Sequence, residues 1–149
     1  MAKASRNRTL TLSDEERAAY KLQLLSENDL ATGIDMTDSI INADLASALP
    51  FVPASFADLI IIDPPYNLSK DFNGLAFSAI SSDKYAEYLR TWFHKVCDKL
   101  KATGSLYMCG DWKCTSALQA VLEERLTILN RITWQRDKGR GAKANWKNC

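Results

Sequence analysis

The feature that most constrains this chain is an apolar run that stops at an acid and two prolines. Large aliphatic residues from Leu59 to Ile62 are followed directly by Asp63, Pro64, Pro65 and Tyr66. Such a run is typical of a buried strand, and the prolines keep the strand from continuing past its end. We therefore expect a strand that delivers a stiff polar loop to its carboxyl end, where open α/β sheets bind ligands.

The composition of this loop suits one kind of ligand. Two prolines remove two backbone donors and fix the neighbouring carbonyl groups as outward-facing acceptors. The carboxylate of Asp63 adds another acceptor, and Tyr66 supplies a flat ring beside it. This combination is a receptor for a planar molecule that carries an NH₂ group. Acceptors that hold both N–H groups favour a pyramidal nitrogen, whose lone pair becomes available to an electrophile.

Helical and strand patterns alternate along the rest of the chain. The sequence predicts helices over 13–25, 82–100 and 113–124, strands over 39–44, 59–62, 105–109 and 126–135, and loops over 28–38 and 68–81. A helical turn over 45–49 should end at Pro50, and Gly104 should end the longest helix in a left-handed turn. His94 falls off the apolar stripe of that helix and is expected at the surface. This order of elements indicates an α/β fold.

Charge is divided unevenly along the chain, although the net charge is only +1. Residues 1–9 carry three basic and no acidic side chains, and residues 136–149 carry five basic and one acidic. The body between them is therefore net acidic. Basic ends suit contact with a polyanion, but they are also common as solvated termini, and both interpretations stay open.

The cysteines and the absence of long apolar runs indicate the compartment. Four cysteines occur without C-x-x-C spacing, and His94 is the single histidine. This pattern argues against a zinc site and favours a reducing, cytoplasmic environment. No signal peptide and no apolar run of membrane-spanning length is present. We expect no metal and no membrane partner.

The segment Asp63-Pro64-Pro65-Tyr66 resembles the catalytic motif of S-adenosylmethionine-dependent amino DNA methyltransferases. The following Asn67 resembles the adenine-N6 branch of that family more than the cytosine-N4 branch. The resemblance implies a partial Rossmann-like methyltransferase sheet with helices on both faces. It also implies that a base flipped out of double-stranded DNA stacks on Tyr66 and is methylated at nitrogen without a covalent intermediate. Asp63 and the Pro64 carbonyl then hold the amine, and Asn67 supports the loop on its DNA-binding side.

The resemblance implies further contacts outside the motif. Asp44 ends a short strand upstream, so it joins Asp63 as a candidate contact of S-adenosylmethionine, with a helix N-cap as the equally open alternative. Lys70 is a candidate phosphate contact. Trp134 falls in the region that flanks the flipped base, with a place in the core equally open. The basic tail, where target recognition begins in the family, contributes Arg136, Lys138, Arg140, Lys143 and Lys147.

One part of the family pattern is absent from these 149 residues. The Phe-x-Gly-x-Gly loop that cradles the cofactor has no match, and in the permuted order it lies after the catalytic motif. We expect a basic arm and helix over 1–38, a catalytic half over 39–135 and a basic tail over 136–149. The chain is then a truncated gene product, a fragment, or one subunit of a split enzyme, and in the last case a second chain carrying the Gly-rich half is the expected partner. The rival interpretations are a non-catalytic DNA-binding remnant and an RNA or protein-amide methyltransferase.

Overall fold

The computed structural model describes residues 10–72 and 75–133, with the backbone alone for 70–72 and 75–77. One compact unit consists of the described residues up to Asp58 together with Asp98–Gly104, and the other consists of Leu59–Cys97 and the described residues from Ser105 onward. The helices are α1 (Asp14–Lys21), α2 (Glu27–Ala31), α3 (Leu45–Ala48), α4 (Ser82–Cys97) and α5 (Thr115–Leu122), with 3-10 turns at Leu49–Phe51 and Trp112–Cys114. The strands are β1 (Leu24–Leu25), β2 (Ile40–Ile41), β3 (Ala57–Ile62), β4 (Lys70–Phe72), β5 (Leu75–Phe77) and β6 (Leu100–Met108).

The mixture of helices and strands confirms the α/β character of the chain. The described strands form three two-stranded sheets, which pair β1 with β2, β3 with β6, and β4 with β5. The Rossmann-like sheet with helices on both faces therefore stays a prediction. No helix in the described ranges has both the length and the apolar character needed to cross a bilayer.

Local capping signals determine where the first helices begin. Ser13 and Glu16 form the predicted capping box of α1, with the Ser13 N–H donating to Glu16 Oε2 at 2.8 Å. Helix α1 ends four residues earlier than predicted, because Leu24 and Leu25 form a strand that pairs in parallel with β2. The predicted loop over 28–38 is wrong at its start, because α2 begins there with a second capping box.

The first unit differs from the sequence predictions at Pro50 and at Gly104. The helical turn after Asp44 does not stop at Pro50, because a 3-10 turn follows with proline in its first positions, where no backbone donor is needed. Gly104 does not end a helix, because α4 ends at Cys97 and Gly104 lies inside β6. A Cβ at Gly104 would lie 3.0 Å from the Ala57 carbonyl oxygen, so glycine is needed for close approach to β3.

Strand β3 confirms the predicted strand but not its burial. The side chains of Leu59 and Ile61 are 52% and 68% exposed, whereas Ile60 and Ile62 are half-buried. The alternation of exposure is that of a strand with one covered face. A continuous apolar run therefore does not correspond here to a strand that is buried on both faces.

The core of the second unit lies between α4 and α5. Phe93, Leu89 and Val121 are its most deeply buried large side chains, and the predicted apolar stripe of α4 is confirmed. Across the outside of this packing, the Arg90 Nε donates to Glu124 Oε1 at 2.7 Å, and His94 Nε2 lies 2.8 Å from Glu124 Oε2. His94 is thus near the surface as expected, and it pairs with the segment that follows α5.

The predicted strand over 126–135 is wrong for the residues that the structure covers. No strand is present from 126 to 133. Leu129 and Ile132 are 81% and 73% exposed. A β pattern forms a strand only when a neighbouring strand supplies hydrogen-bond partners, and none pairs with this segment in the described part of the chain.

Candidate active site

The carboxyl ends of β3 and β6 meet in the second unit. The Cys109 N–H donates to the Ile62 carbonyl at 2.8 Å. The segment that begins at Asp63 therefore leaves β3 beside the segment that leaves β6 through Gly110 and Asp111. This sheet end is the kind of place where the sequence predicted a ligand site.

Tyr66 and Asp63 lie close to each other within the motif. The Asp63 carboxylate is near enough to the Tyr66 hydroxyl to influence its ionisation. Burial, hydrogen bonding to Asp63 and the negative charges of Asp63 and Asp111 raise the pKa of Tyr66 to about 12. The Tyr66 hydroxyl therefore keeps its proton at neutral pH, beside the Asp63 carboxylate. Tyr66 is 38% exposed, and Asp63 is also exposed.

The two prolines of the motif lie in different environments. Pro64 is buried and Pro65 is exposed. The hydroxyl of Tyr85, near the start of α4, donates to the Pro65 carbonyl at 3.0 Å. Of the carbonyl acceptors that the sequence predicted around the prolines, that of Pro65 is therefore already engaged. The amine acceptors named for this loop were Asp63 and the Pro64 carbonyl, and the Tyr85 bond is compatible with that choice.

Tyr85 is a site residue that sequence reasoning missed. The apolar periodicity of α4 placed it in the core, and it is indeed only 3% exposed. Burial is the largest cause that raises its pKa to about 12. The missed signal was the hydroxyl itself, because a buried tyrosine normally directs its O–H to a specific acceptor.

Asn67 closes the segment that follows the motif. Its Oδ1 accepts from the Ile80 N–H at 2.8 Å, and its Nδ2 donates to the Ile80 carbonyl at 2.7 Å. We call this pair of bonds between Asn67 and Ile80 the clamp. Inside it, Ser69 Oγ accepts from the Ala79 N–H at 3.0 Å. The amide of Asn67 thus supports the loop, as expected, while its contact with DNA stays a prediction.

The segment inside the clamp was predicted as an irregular loop, and that prediction is wrong. Strands β4 and β5 pair in antiparallel register, with Lys70 opposite Phe77 and Phe72 opposite Leu75. The signal was present in the sequence, because Asn-Gly at 73–74 is typical of a two-residue hairpin turn. Residues 73 and 74 themselves lie outside the described part.

Asp44 lies in the first unit, where it caps a helix. Its Oδ1 accepts from the Ala46 N–H at 2.8 Å at the start of α3. The capping role that the sequence left open is therefore present, and the cofactor contact stays a prediction. Lys70 lies in β4, and its side chain is outside the described part of the structure. The remaining candidate DNA contacts are outside it entirely: Trp134, Arg136, Lys138, Arg140, Lys143 and Lys147.

Negative charge and acceptor groups dominate this sheet end. Asp63 and Asp111 both lie close enough to Tyr66 to influence its ionisation. In the described ranges, no three His, Cys, Asp or Glu side chains group in a way that could hold a metal ion. The geometry therefore favours chemistry in which acceptors hold N–H groups or a cation near an exposed ring.

Known proteins match the part of the chain that contains this site. A family model described as DNA methylase matches residues 57–148. The chain is 32% identical over 99 residues to DNA adenine methyltransferase YhdJ of Escherichia coli (strain K12), covering 66% of this chain and 33% of that protein. It is 32% identical over 108 residues to Type II methyltransferase M.HpaI of Haemophilus parainfluenzae, covering 71% and 34%. It is also 36% identical over 86 residues to Type II methyltransferase M1.MboII of Moraxella bovis, covering 56% and 32%. The chain spans about a third of the length of these curated relatives.

Proposed function

The chain belongs to the DNA methylase family, and from that premise we propose that the protein is an S-adenosylmethionine-dependent DNA methyltransferase. Its product is a base methylated at the exocyclic amine, with adenine N6 favoured. A relative named as a DNA adenine methyltransferase supports the choice of adenine. The observation that carries the proposal is the arrangement of Asp63 and Tyr66 at the end of β3, where both are accessible and the carboxylate lies close to the tyrosine hydroxyl.

The residues of the motif have separate roles in this proposal. The Asp63 carboxylate and the Pro64 carbonyl accept hydrogen bonds from the two N–H groups of the amine. These bonds favour a pyramidal nitrogen whose lone pair is available for attack. The exposed ring of Tyr66 stacks on the flipped base, while its hydroxyl keeps Asp63 in place. Pro65 stiffens the loop, and Tyr85 positions it from α4 through the bond to its carbonyl.

The charge at this sheet end fits the cofactor. S-adenosylmethionine carries a sulfonium cation, and the carboxylates of Asp63 and Asp111 give this edge negative charge. The cofactor supplies the electrophilic methyl group. We assign Asp63 as its contact near the reacting centre and Asp44 as a second contact, in addition to the helix cap that Asp44 provides through Oδ1.

The larger assembly is part of the same proposal. We place β3 and β6 in the catalytic half of a Rossmann-like sheet, within a domain over 39–135 that lies between a basic arm with its helix over 1–38 and a basic tail over 136–149. Double-stranded DNA is the substrate, and the cytoplasm is the compartment. A second chain that carries the Gly-rich half is a further partner. We assign DNA contacts to Asn67 and Lys70, to Trp134, and to the basic tail through Arg136, Lys138, Arg140, Lys143 and Lys147.

The test is methyl transfer from tritium-labelled S-adenosylmethionine to duplex DNA, with and without a chain that supplies the Gly-rich half. Asp63→Ala should lower the rate by about 100-fold or more, because one transition-state contact is removed. DNA affinity, measured by fluorescence anisotropy, should be unchanged. The matched control is Asp58→Ala, which removes an exposed carboxylate of β3 that pairs with Lys101 at 2.8 Å.

Three results would contradict the proposal. Wild-type transfer by Asp63→Ala would remove the assigned role of the carboxylate. Salt-sensitive DNA binding without transfer under any complementation would identify a non-catalytic remnant. Preferential labelling of RNA or of protein amides in a competition experiment would assign a different substrate.

A further inference from the structure

Trp112 is a large apolar side chain that the core of the second unit does not use. It is 58% exposed, whereas Cys114, two residues later, is 3% exposed. The turn that carries Trp112 is fixed by Asp111, whose Oδ1 accepts from the Lys113 N–H at 3.0 Å and whose carbonyl accepts from the Cys114 N–H at 2.9 Å. The exposure of the indole is therefore a property of an anchored turn.

Trp112 lies at the sheet end that carries the motif. It follows Cys109 by three residues, and the Cys109 N–H bonds the last residue of β3. The neighbouring Asp111 is close enough to Tyr66 to contribute to its raised pKa. Trp112 and Tyr66 are thus two accessible aromatic side chains on segments that leave adjacent strand ends.

A cation accompanies the exposed indole. Lys113 Nζ lies 5.7 Å from the centroid of the Trp112 ring, within the range of a cation–π contact. Proteins bind unpaired nucleic acid through aromatic rings that stack on bases and through cations that attract phosphates, and Trp112 and Lys113 supply one of each. The adenine of S-adenosylmethionine is a poorer candidate, because Lys113 repels a cofactor that is itself a cation.

We propose that Trp112 and Lys113 form a DNA contact at the edge of the active site, in which the indole stacks on an unstacked base and the ammonium meets an adjacent phosphate. The inference rests on the proposed function for the identity of the nucleic acid. It adds a binding element outside the motif and outside the basic tail. Stacking on Trp112 stabilises DNA that is opened beside the base held by Tyr66.

The test measures binding of the chain to a fluorescein-labelled duplex with one unpaired base, compared with the fully paired duplex. Trp112→Ala should weaken binding to the first duplex about 5- to 150-fold, the loss expected for one base–aromatic stack. Trp112→Phe should retain most of the affinity, because a ring is kept. Lys113→Ala should lower the slope of log affinity against log salt by about 1.

Tyr20 and Lys21 on α1 provide a matched control. They are an aromatic residue and a lysine adjacent in sequence, as Trp112 and Lys113 are, and Tyr20 is 52% exposed. Tyr20→Ala and Lys21→Ala should leave both affinity and salt slope unchanged. Circular dichroism of every variant shows whether the fold is kept, and the Trp112→Phe result stays informative if Trp112→Ala unfolds.

Several outcomes would overturn the inference. These are wild-type affinity in Trp112→Ala, an equal loss in Tyr20→Ala, or no DNA binding by the wild-type chain. A loss of S-adenosylmethionine affinity without a loss of DNA affinity, measured by calorimetry, would assign Trp112 to the cofactor instead. If Asp63→Ala keeps the wild-type transfer rate while Trp112→Ala weakens DNA binding, the proposed methyl transfer is refuted and the DNA contact stands. If Asp63→Ala abolishes transfer while Trp112→Ala binds DNA normally, the DNA contact is refuted and the proposed methyl transfer stands.

Discussion

Replacing Tyr85 by phenylalanine isolates the support that α4 gives to the motif. The substitution removes the hydroxyl that donates to the Pro65 carbonyl at 3.0 Å and keeps the ring that stacks on Tyr88 at a centroid distance of 6.1 Å. Pro65 is an exposed residue, and we expect water to replace the lost donor at its carbonyl. The free energy of unfolding should therefore fall by only about 1 kcal/mol, the net value of one hydrogen bond.

The effect on methyl transfer should be larger than the effect on stability. The bond holds the loop next to its two assigned amine acceptors, Asp63 and the Pro64 carbonyl, and a displacement of about 1 Å can cost about 100-fold in rate. We expect the single-turnover rate to fall about 10- to 100-fold, with DNA affinity unchanged. The rate is measured in the complemented transfer assay, and stability by urea unfolding. Tyr88→Phe, at a more exposed tyrosine of the same helix, is the control.

The pH dependence of stability gives an independent readout of Tyr85. Its pKa is raised from 10.0 to about 12, so the folded state holds the proton more tightly than the unfolded state. The free energy of unfolding therefore keeps its full value below about pH 10. Ionisation of Tyr85 lowers it as pH rises towards 12, by about 3 kcal/mol at most. Tyr85→Phe should flatten this alkaline decline. A wild-type transfer rate, or equal losses in Tyr85→Phe and Tyr88→Phe, would refute the proposed support of the loop.

Two further substitutions test how the elements around the site are held. Asn67→Ala removes both bonds to Ile80, so limited proteolysis should cut residues 68–79 faster than in the wild type; unchanged cleavage would show that the hairpin does not depend on the clamp. The Arg90 hydrogen bond is the main cause that lowers the pKa of Glu124 below 4.5 against opposing desolvation, with His94 adding to it. The resulting stabilisation is present above pH 4.5 and is lost as pH falls below it, so Glu124→Gln should lower the urea midpoint at neutral pH and approach the wild type in acid. An equal difference at every pH would contradict that origin.

Features that depend on neighbours in sequence could be predicted from the sequence. The capping box of α1 joins residues three apart, and the stripe of α4 repeats every three or four residues. Both are confirmed, because the interacting groups belong to the same short segment. The motif at the end of β3 was located for the same reason, since prolines stop a strand wherever they occur.

Features that depend on distant partners could not be predicted in the same way. The bond between Tyr85 and Pro65 joins residues 20 positions apart, and periodicity alone gives no information on the acceptor of a hydroxyl. The role of Gly104 depends on the carbonyl of Ala57, which a pattern at a helix end does not reveal. The exposure of Leu59 depends on what covers the sheet, which the run of aliphatic residues does not specify.

The contacts of the second unit make α4 the element that positions the motif. Tyr85 holds the loop at Pro65, and Asn67 holds Ile80, which lies two residues before the start of α4. The segment that contains the hairpin is therefore tied together twice, by the bond between Pro65 and Tyr85 and by the bonds between Asn67 and Ile80. The loop is fixed to α4 at Pro65 and to the segment just before α4 at Ile80, so we expect a shift of α4 to move the Pro65 carbonyl and the base of the hairpin together. In the proposed function, the four residues of the motif supply the acceptors and the ring, and α4 holds the loop in the geometry in which they act.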